Sequence, residues 1–159
     1  MSNKLLLAGS LAITALSSSV VMAADTARHS IEVRAVVPSA VFYALPVDAN
    51  LINGVQQMKF NPNTMNLDEI RGQFDLLNTG GKIDAKLDGP ATLLSGSDTI
   101  DLDVSINGVS LDSTASKTVL ADTLGKTKYR SALVISAKGK DHKAGDYTGY
   151  VNLVFDAGI

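Results

Sequence analysis

Ile100-Asp101-Leu102-Asp103-Val104-Ser105-Ile106-Asn107-Gly108 decides the fold class of this chain. Apolar residues occupy every second position, the period of a strand with one buried face. Asn107-Gly108 is a strong hairpin signal, because both residues tolerate the positive φ that a two-residue turn requires. The return strand then runs through Val109 to Leu111.

The same period extends in both directions. Residues 82–88 alternate Ile83, Ala85 and Leu87 against charged neighbours, and Gly89-Pro90 ends that ladder. Residues 129–137 form a long β-rich run, followed by a polar loop over 139–143. Residues 147–155 read as one last strand with Tyr147, Val151, Leu153 and Phe155 facing inward. Residues 55–60 are a further candidate strand, closed by Asn61-Pro62-Asn63. Residues 67–77 fit a helical stripe through Leu67, Ile70, Phe74 and Leu77, or a strand face through Ile70, Gly72, Phe74 and Leu76. The strand is favoured, because its neighbours are strands and context overrides weak propensity. Gly80-Gly81 is a turn between strands, residues 118–125 hold a short helical turn, and Lys126, Lys128 and Arg130 read as a charged guard on a sheet edge. Short strands punctuated by Gly, Pro and Asn point to an all-β sandwich.

Composition narrows the function. The chain has 159 residues, with 14 Lys+Arg against 16 Asp+Glu, and so lacks the basic excess of a nucleic-acid binder. Hydrophobic residues at 45% and charged residues at 19% are those of a chain that builds a core. It has no Cys, which removes disulfides, thiolate metal sites and thiol nucleophiles. Residues 1–23 carry the pattern of a secretory signal: Lys4 near the start, an apolar stretch, and Val21-Met22-Ala23 before the cleavage point. The mature chain would begin at Ala24 and be exported.

Catalytic patterns are missing. There is no HExxH, GxSxG or phosphate-loop motif. His29 lies near the mature terminus, and His142 lies in the charged loop Lys140-Asp141-His142-Lys143. Asp98, Asp101 and Asp103 resemble a fragment of a calcium loop but lack its Gly and closing Glu. Their alternation with Leu102 and Val104 fits the wet face of a strand better. No enzymatic activity and no cofactor or metal is expected. No solvent-exposed aromatic platform is evident.

The N-terminal segment remains. Ile31, Val33, Ala35 and Val37 alternate with Glu32 and Arg34, follow a polar leader, and end at Pro38. Such a strand either belongs to the domain's own sheet or adds to another molecule's sheet, where backbone bonds give affinity and alternate side chains give register.

This segment resembles the donor strand of colonisation-factor-type fimbrial major subunits, the alpha class of chaperone–usher pilins. The block Ala144-Gly145-Asp146-Tyr147-Thr148-Gly149, with the alternating run after it, is similar to the closing block of that family. The ends carry the resemblance; residues 51–128 share only strand rhythm. It implies an incomplete immunoglobulin-like β-sandwich that is completed by a donor strand. Residues 24–38 would be the donor segment and 39–159 the pilin domain. Ile31, Val33, Ala35 and Val37 would insert into a neighbouring copy, while Tyr147, Val151, Leu153 and Phe155 would help build this chain's own acceptor groove. The implied partners are further copies of the chain in a head-to-tail homopolymer, a periplasmic chaperone that anchors the carboxylate of Ile159, an outer-membrane usher, and a tip adhesin. The implied destination is a cell-surface fimbria, reached through the periplasm. The competing expectation is a secreted immunoglobulin-like binding module, monomeric and complete in itself.

Overall fold

The computed structural model describes residues 29–37 and 41–158. The expected signal peptide, Pro38 and Ile159 lie outside them. The chain divides between Ala35 and Val36. Residues 29–37 carry no helix or strand, and their side chains are exposed. The rest forms β1 (Phe42–Pro46), α1 (Asn50–Asn53), β2 (Phe60–Asn61), β3 (Asn66–Leu67), β4 (Ile70–Asn78), β5 (Ile83–Leu87), β6 (Thr92–Ser95), β7 (Asp98–Ile106), β8 (Val109–Leu111), β9 (Lys117–Leu120), α2 (Asp122–Gly125), β10 (Tyr129–Ala137), β11 (Thr148–Tyr150) and β12 (Leu153–Ala157).

The strands form a large sheet in the order β1-β4-β10-β7-β6-β11, with β8 on β7, and a small sheet in the order β12-β5-β9. Their inward faces make one core. Phe74 and Leu76 come from β4, Leu102, Val104 and Ile106 from β7, and Leu133 and Ile135 from β10. Ile83, Ala85 and Leu87 come from β5, and Val119 and Leu120 from β9. Alternation does what it predicts here: buried residues recur at every second position along β5, β7 and β10. The hairpin at Asn107-Gly108 forms with φ of 51° and 79°, and Asn107 also donates its side-chain amide to the Val119 carbonyl at 3.0 Å.

In chain order, β1, β4, β7 and β10 stand as A, B, D and E of an immunoglobulin-like sandwich, while β5 and β12 stand as C and F. Among the described residues no strand stands as G beside β12.

The ambiguous segment is a strand, β4. Gly72 within it is explained by close approach, since a Cβ there would lie 2.6 Å from Leu51 Cδ2. Two expectations need correction. Residues 55–59 are not a strand; of that run only Phe60 belongs to β2, and the Lys59 carbonyl accepts from the Asp68 N–H at 2.7 Å. Gln56 instead ties the segment to α1, donating to the Asn50 and Gly54 carbonyls, and Val55 is 99% exposed. Lys128 precedes β10, and Arg130 lies where β10 pairs with β4 alone, because its pairing with β7 begins at Leu133. They hold Asp75 at 3.3 and 2.8 Å on the outer surface, where charge alternation marks a wet face irrespective of edge or centre.

The last strand is two strands. β11 pairs with β6 in the large sheet and β12 with β5 in the small one, the chain crossing at Val151-Asn152. Gly149 permits the close pairing with β6, where a Cβ would run into the Thr92 carbonyl. Tyr150 on β11 is 85% exposed, and Phe42 and Phe60 are exposed as well, so single aromatics do face solvent.

Candidate acceptor groove

The open side of the sandwich lies between β1 and β12. Ala44 and Pro46 of β1 line one wall of a groove of about 330 Å³, and Val151, Asn152, Leu153 and Phe155 line the other. Phe74 forms its floor, and Ile52 of α1 adds to its lining. The Phe74 and Phe155 rings meet with centroids 5.2 Å apart and planes tilted by 44°. A tilted pair at this separation is a favourable aromatic geometry. Phe74 is buried, but Leu153 and Phe155 are only half-buried. The groove therefore presents apolar side chains that packing has not finished covering.

Both walls also leave backbone groups unpaired. The Asn152 carbonyl accepts from the Asp88 N–H at 2.9 Å, and the Gly158 N–H donates to the Lys82 carbonyl at 3.0 Å. Even-numbered residues of this strand thus turn their backbone towards β5. Alternation turns those of Leu153, Phe155 and Ala157 towards the groove. On β1, Val47 and Val41 bond to the β4 side, so Phe42, Ala44 and Pro46 turn their backbone the other way. Pro46 has no N–H to leave unpaired, the usual placement of proline at an edge. Among the described residues no strand pairs with either free edge. Unpaired edges are templates for another strand.

Local contacts hold the groove's ends. Leu51 packs over Gly72, and the Asp48 carboxylate accepts from the Asn50 N–H at 2.9 Å, which fixes α1 and Ile52. Asn78, buried at 2% exposure, donates to the Lys82 and Gly158 carbonyls at 2.6 and 3.2 Å and accepts from the Gly80 N–H. It joins the β4–β5 turn to the end of β12. On the outer face beside the groove, Asp156 accepts from Ser116 Oγ at 3.4 Å. Asp84 accepts from Thr118 at 2.6 Å, which, with Lys82 at 3.1 Å, lowers its pKa below the ordinary carboxylate value.

Three of the four residues expected in the groove, Val151, Leu153 and Phe155, are there. Tyr147 is not. It precedes the crossing between sheets and donates its hydroxyl to the Lys143 carbonyl at 3.2 Å. The donor residues Ile31, Val33 and Val37 are 85%, 85% and 89% exposed, and Ala35 is exposed as well. Ile159 lies outside the described residues. Sequence reasoning missed Ala44, Pro46 and Ile52, which sit in short elements with no strong period. Phe74 carried a signal, as an inward position of the strand reading of residues 67–77.

An immunoglobulin-like sandwich with one open apolar edge is the architecture of an incomplete pilin domain. The chain matches the family of CS1 type fimbrial major subunits over residues 27–156 and belongs to it. It is a structural subunit of a surface fimbria, built by polymerisation of such subunits. The fold is also similar to the CooA pilin subunit from enterotoxigenic Escherichia coli, with a TM-score of 0.55 at 16% identity, covering 71% of this chain and 86% of that one. No curated protein sequence matches the chain.

Proposed function

We propose that this subunit polymerises by donor-strand exchange: residues 24–38 of one copy enter the groove between β1 and β12 of the next. The observation that carries this reading is the pair of unpaired strand edges flanking an apolar groove, in a chain whose residues 31–37 alternate apolar side chains that lie exposed. Burying Ile31, Val33 and Val37 contributes about 1.5–3 kcal/mol each, with less from Ala35. The new ladder also satisfies backbone groups that the groove leaves open. A head-to-tail contact of this kind does not close on itself and yields a filament.

The rest of the assembly route follows the same reading. Residues 1–23 direct export and are removed. A periplasmic chaperone occupies the groove first and anchors Ile159, an outer-membrane usher exchanges it for the next donor, and a tip adhesin caps the fibre. The fimbria serves attachment and performs no catalysis.

The test uses the full chain carrying Val33→Arg, which keeps its groove but loses a competent donor. Alone, it makes no filaments. Adding a peptide of residues 24–39 raises its thermal midpoint by mass action, since the peptide binds only the folded state. The same peptide with Arg at position 33 does not. Filaments of ordinary length from Val33→Arg alone, or a midpoint indifferent to the peptide, would overturn the reading.

A further inference from the structure

Insertion between β1 and β12 leaves the register of the donor open, and the charges beside the groove choose it. We propose, on the donor-strand reading above, that Arg34 of one subunit lies opposite Asp156 of the next, so that Val33, Ala35 and Val37 face Ala157, Phe155 and Leu153. In this pairing the donor runs antiparallel to β12, as β5 does on its other side. Inward residues must meet inward residues, so the permitted registers differ in steps of two.

Several observations select this register. Asp156 points outward and lies beside Asp84 of β5 in the sheet. Arg34 opposite Asp156 places a cation against a carboxylate, a favourable cross-strand pair. Glu32 then falls opposite Gly158, whose N–H bonds to Lys82 of β5, so the donor's acidic residue meets the basic position of that row. Val36, 76% exposed, falls opposite Val154, a β-branched pair on the outer face. On the inner face Ala35, the smallest donor residue, lies over Phe155 where its ring already meets Phe74. The ladder ends with Val37 at Leu153, the first residue of β12, and Pro38 has no bond to supply beyond it.

The neighbouring registers fail on the same groups. Sliding the donor two residues one way sets Glu32 against Asp156 and lines up the carboxylates of Glu32, Asp156 and Asp84. Two residues the other way sets Val36 against Asp156 and leaves Leu153 without an inward donor residue. A four-residue slide puts Val36 and Val37 beyond Asn152, where the chain has already turned towards β11 and β6.

The chain has no Cys, so cross-linking reads the register directly. Leu153, Phe155 and Ala157 bond the donor, so the Arg34–Asp156 pair is non-hydrogen-bonded. Its Cα atoms would lie about 4.5 Å apart, against about 8 Å for a pair displaced by two residues. Only the first fits a disulfide. Fimbriae assembled from the full chain carrying Arg34→Cys and Asp156→Cys are expected to run as a covalent ladder that collapses on reduction. It should exceed by about tenfold the ladder from Glu32→Cys with Asp156→Cys, or from Val36→Cys with Asp156→Cys. A stronger ladder from either displaced pair overturns the register and leaves donor exchange standing. Fimbriae that assemble with no ladder from all three pairs overturn both. A charge swap gives a second reading. Arg34→Asp and Asp156→Arg each reduce assembly, and the chain carrying both recovers it; absence of recovery overturns the pairing.

Discussion

β10 and β12 carry the same alternating pattern and meet different fates. β10 lies between β4 and β7, and its inward Ser131, Leu133 and Ile135 are 0%, 2% and 7% exposed. β12 has one partner, β5, and its inward Leu153 and Phe155 stay half-buried. Alternation specifies which face of a strand is apolar. It does not specify how many edges are paired, and under the donor-strand proposal the unpaired edge of β12 is where the next subunit docks. An edge left open beside an apolar groove is a liability in an ordinary domain.

The sharpest test of the contrast is a pair of truncations. Leu133→Ala, in the closed part of the core, is expected to cost about 2–5 kcal/mol in urea unfolding of the full chain. Leu153→Ala should cost about 1–2 kcal/mol, because its side chain is already partly in water. Saturating peptide of residues 24–39 should widen the Leu153 penalty towards that of Leu133. Equal penalties without peptide would break the contrast between the two strands.

A smaller effect concerns α1, which helps line the groove. Gly72→Ala drives a methyl against Leu51 and is expected to destabilise the fold by about 1–3 kcal/mol. Leu51→Ala in the same chain should relieve part of that loss. Two simply additive penalties in a double-mutant cycle would show that the two positions do not press on each other.

The smallest effect lies on the solvated surface, away from the groove. Hydrogen bonding to Arg130, with further help from Lys128, lowers the pKa of Asp75 below its ordinary 3.8. Bonds from Lys117, Thr114 and Ala115 lower that of Asp112 further. A carboxylate with a depressed folded pKa contributes stability that is fully present above the unfolded value and is lost as pH falls through the folded value. Stability should therefore hold from neutral pH down to about 4 and decline below it. Asp75→Asn and Asp112→Asn should each flatten that acid limb in pH-dependent thermal melts. Donor-peptide binding near neutral pH should be unchanged in both, which separates this surface from the groove.

Much of the sandwich was legible because its strands carry their own evidence. Residues 98–111 declare two strands and a turn, and β5, β7 and β10 declare their buried faces. The groove was half legible. Val151, Leu153 and Phe155 follow from period two, but Ala44, Pro46 and Ile52 come from a five-residue strand and one helical turn, too short to set up a period. Tyr147 was misplaced because the pattern of residues 147–155 runs unbroken through a point where the backbone changes sheets.

The sequence by itself determined an all-β chain, the inward face of most strands, and an apolar alternating segment at its N-terminal side. These are local properties, fixed by side-chain spacing and turn chemistry within a few residues. Only the tertiary structure decided which edges remain open, because pairing is a relation between distant segments. Residues 42–46 and 153–157 come to flank one groove only after β4 and β5 have placed them there.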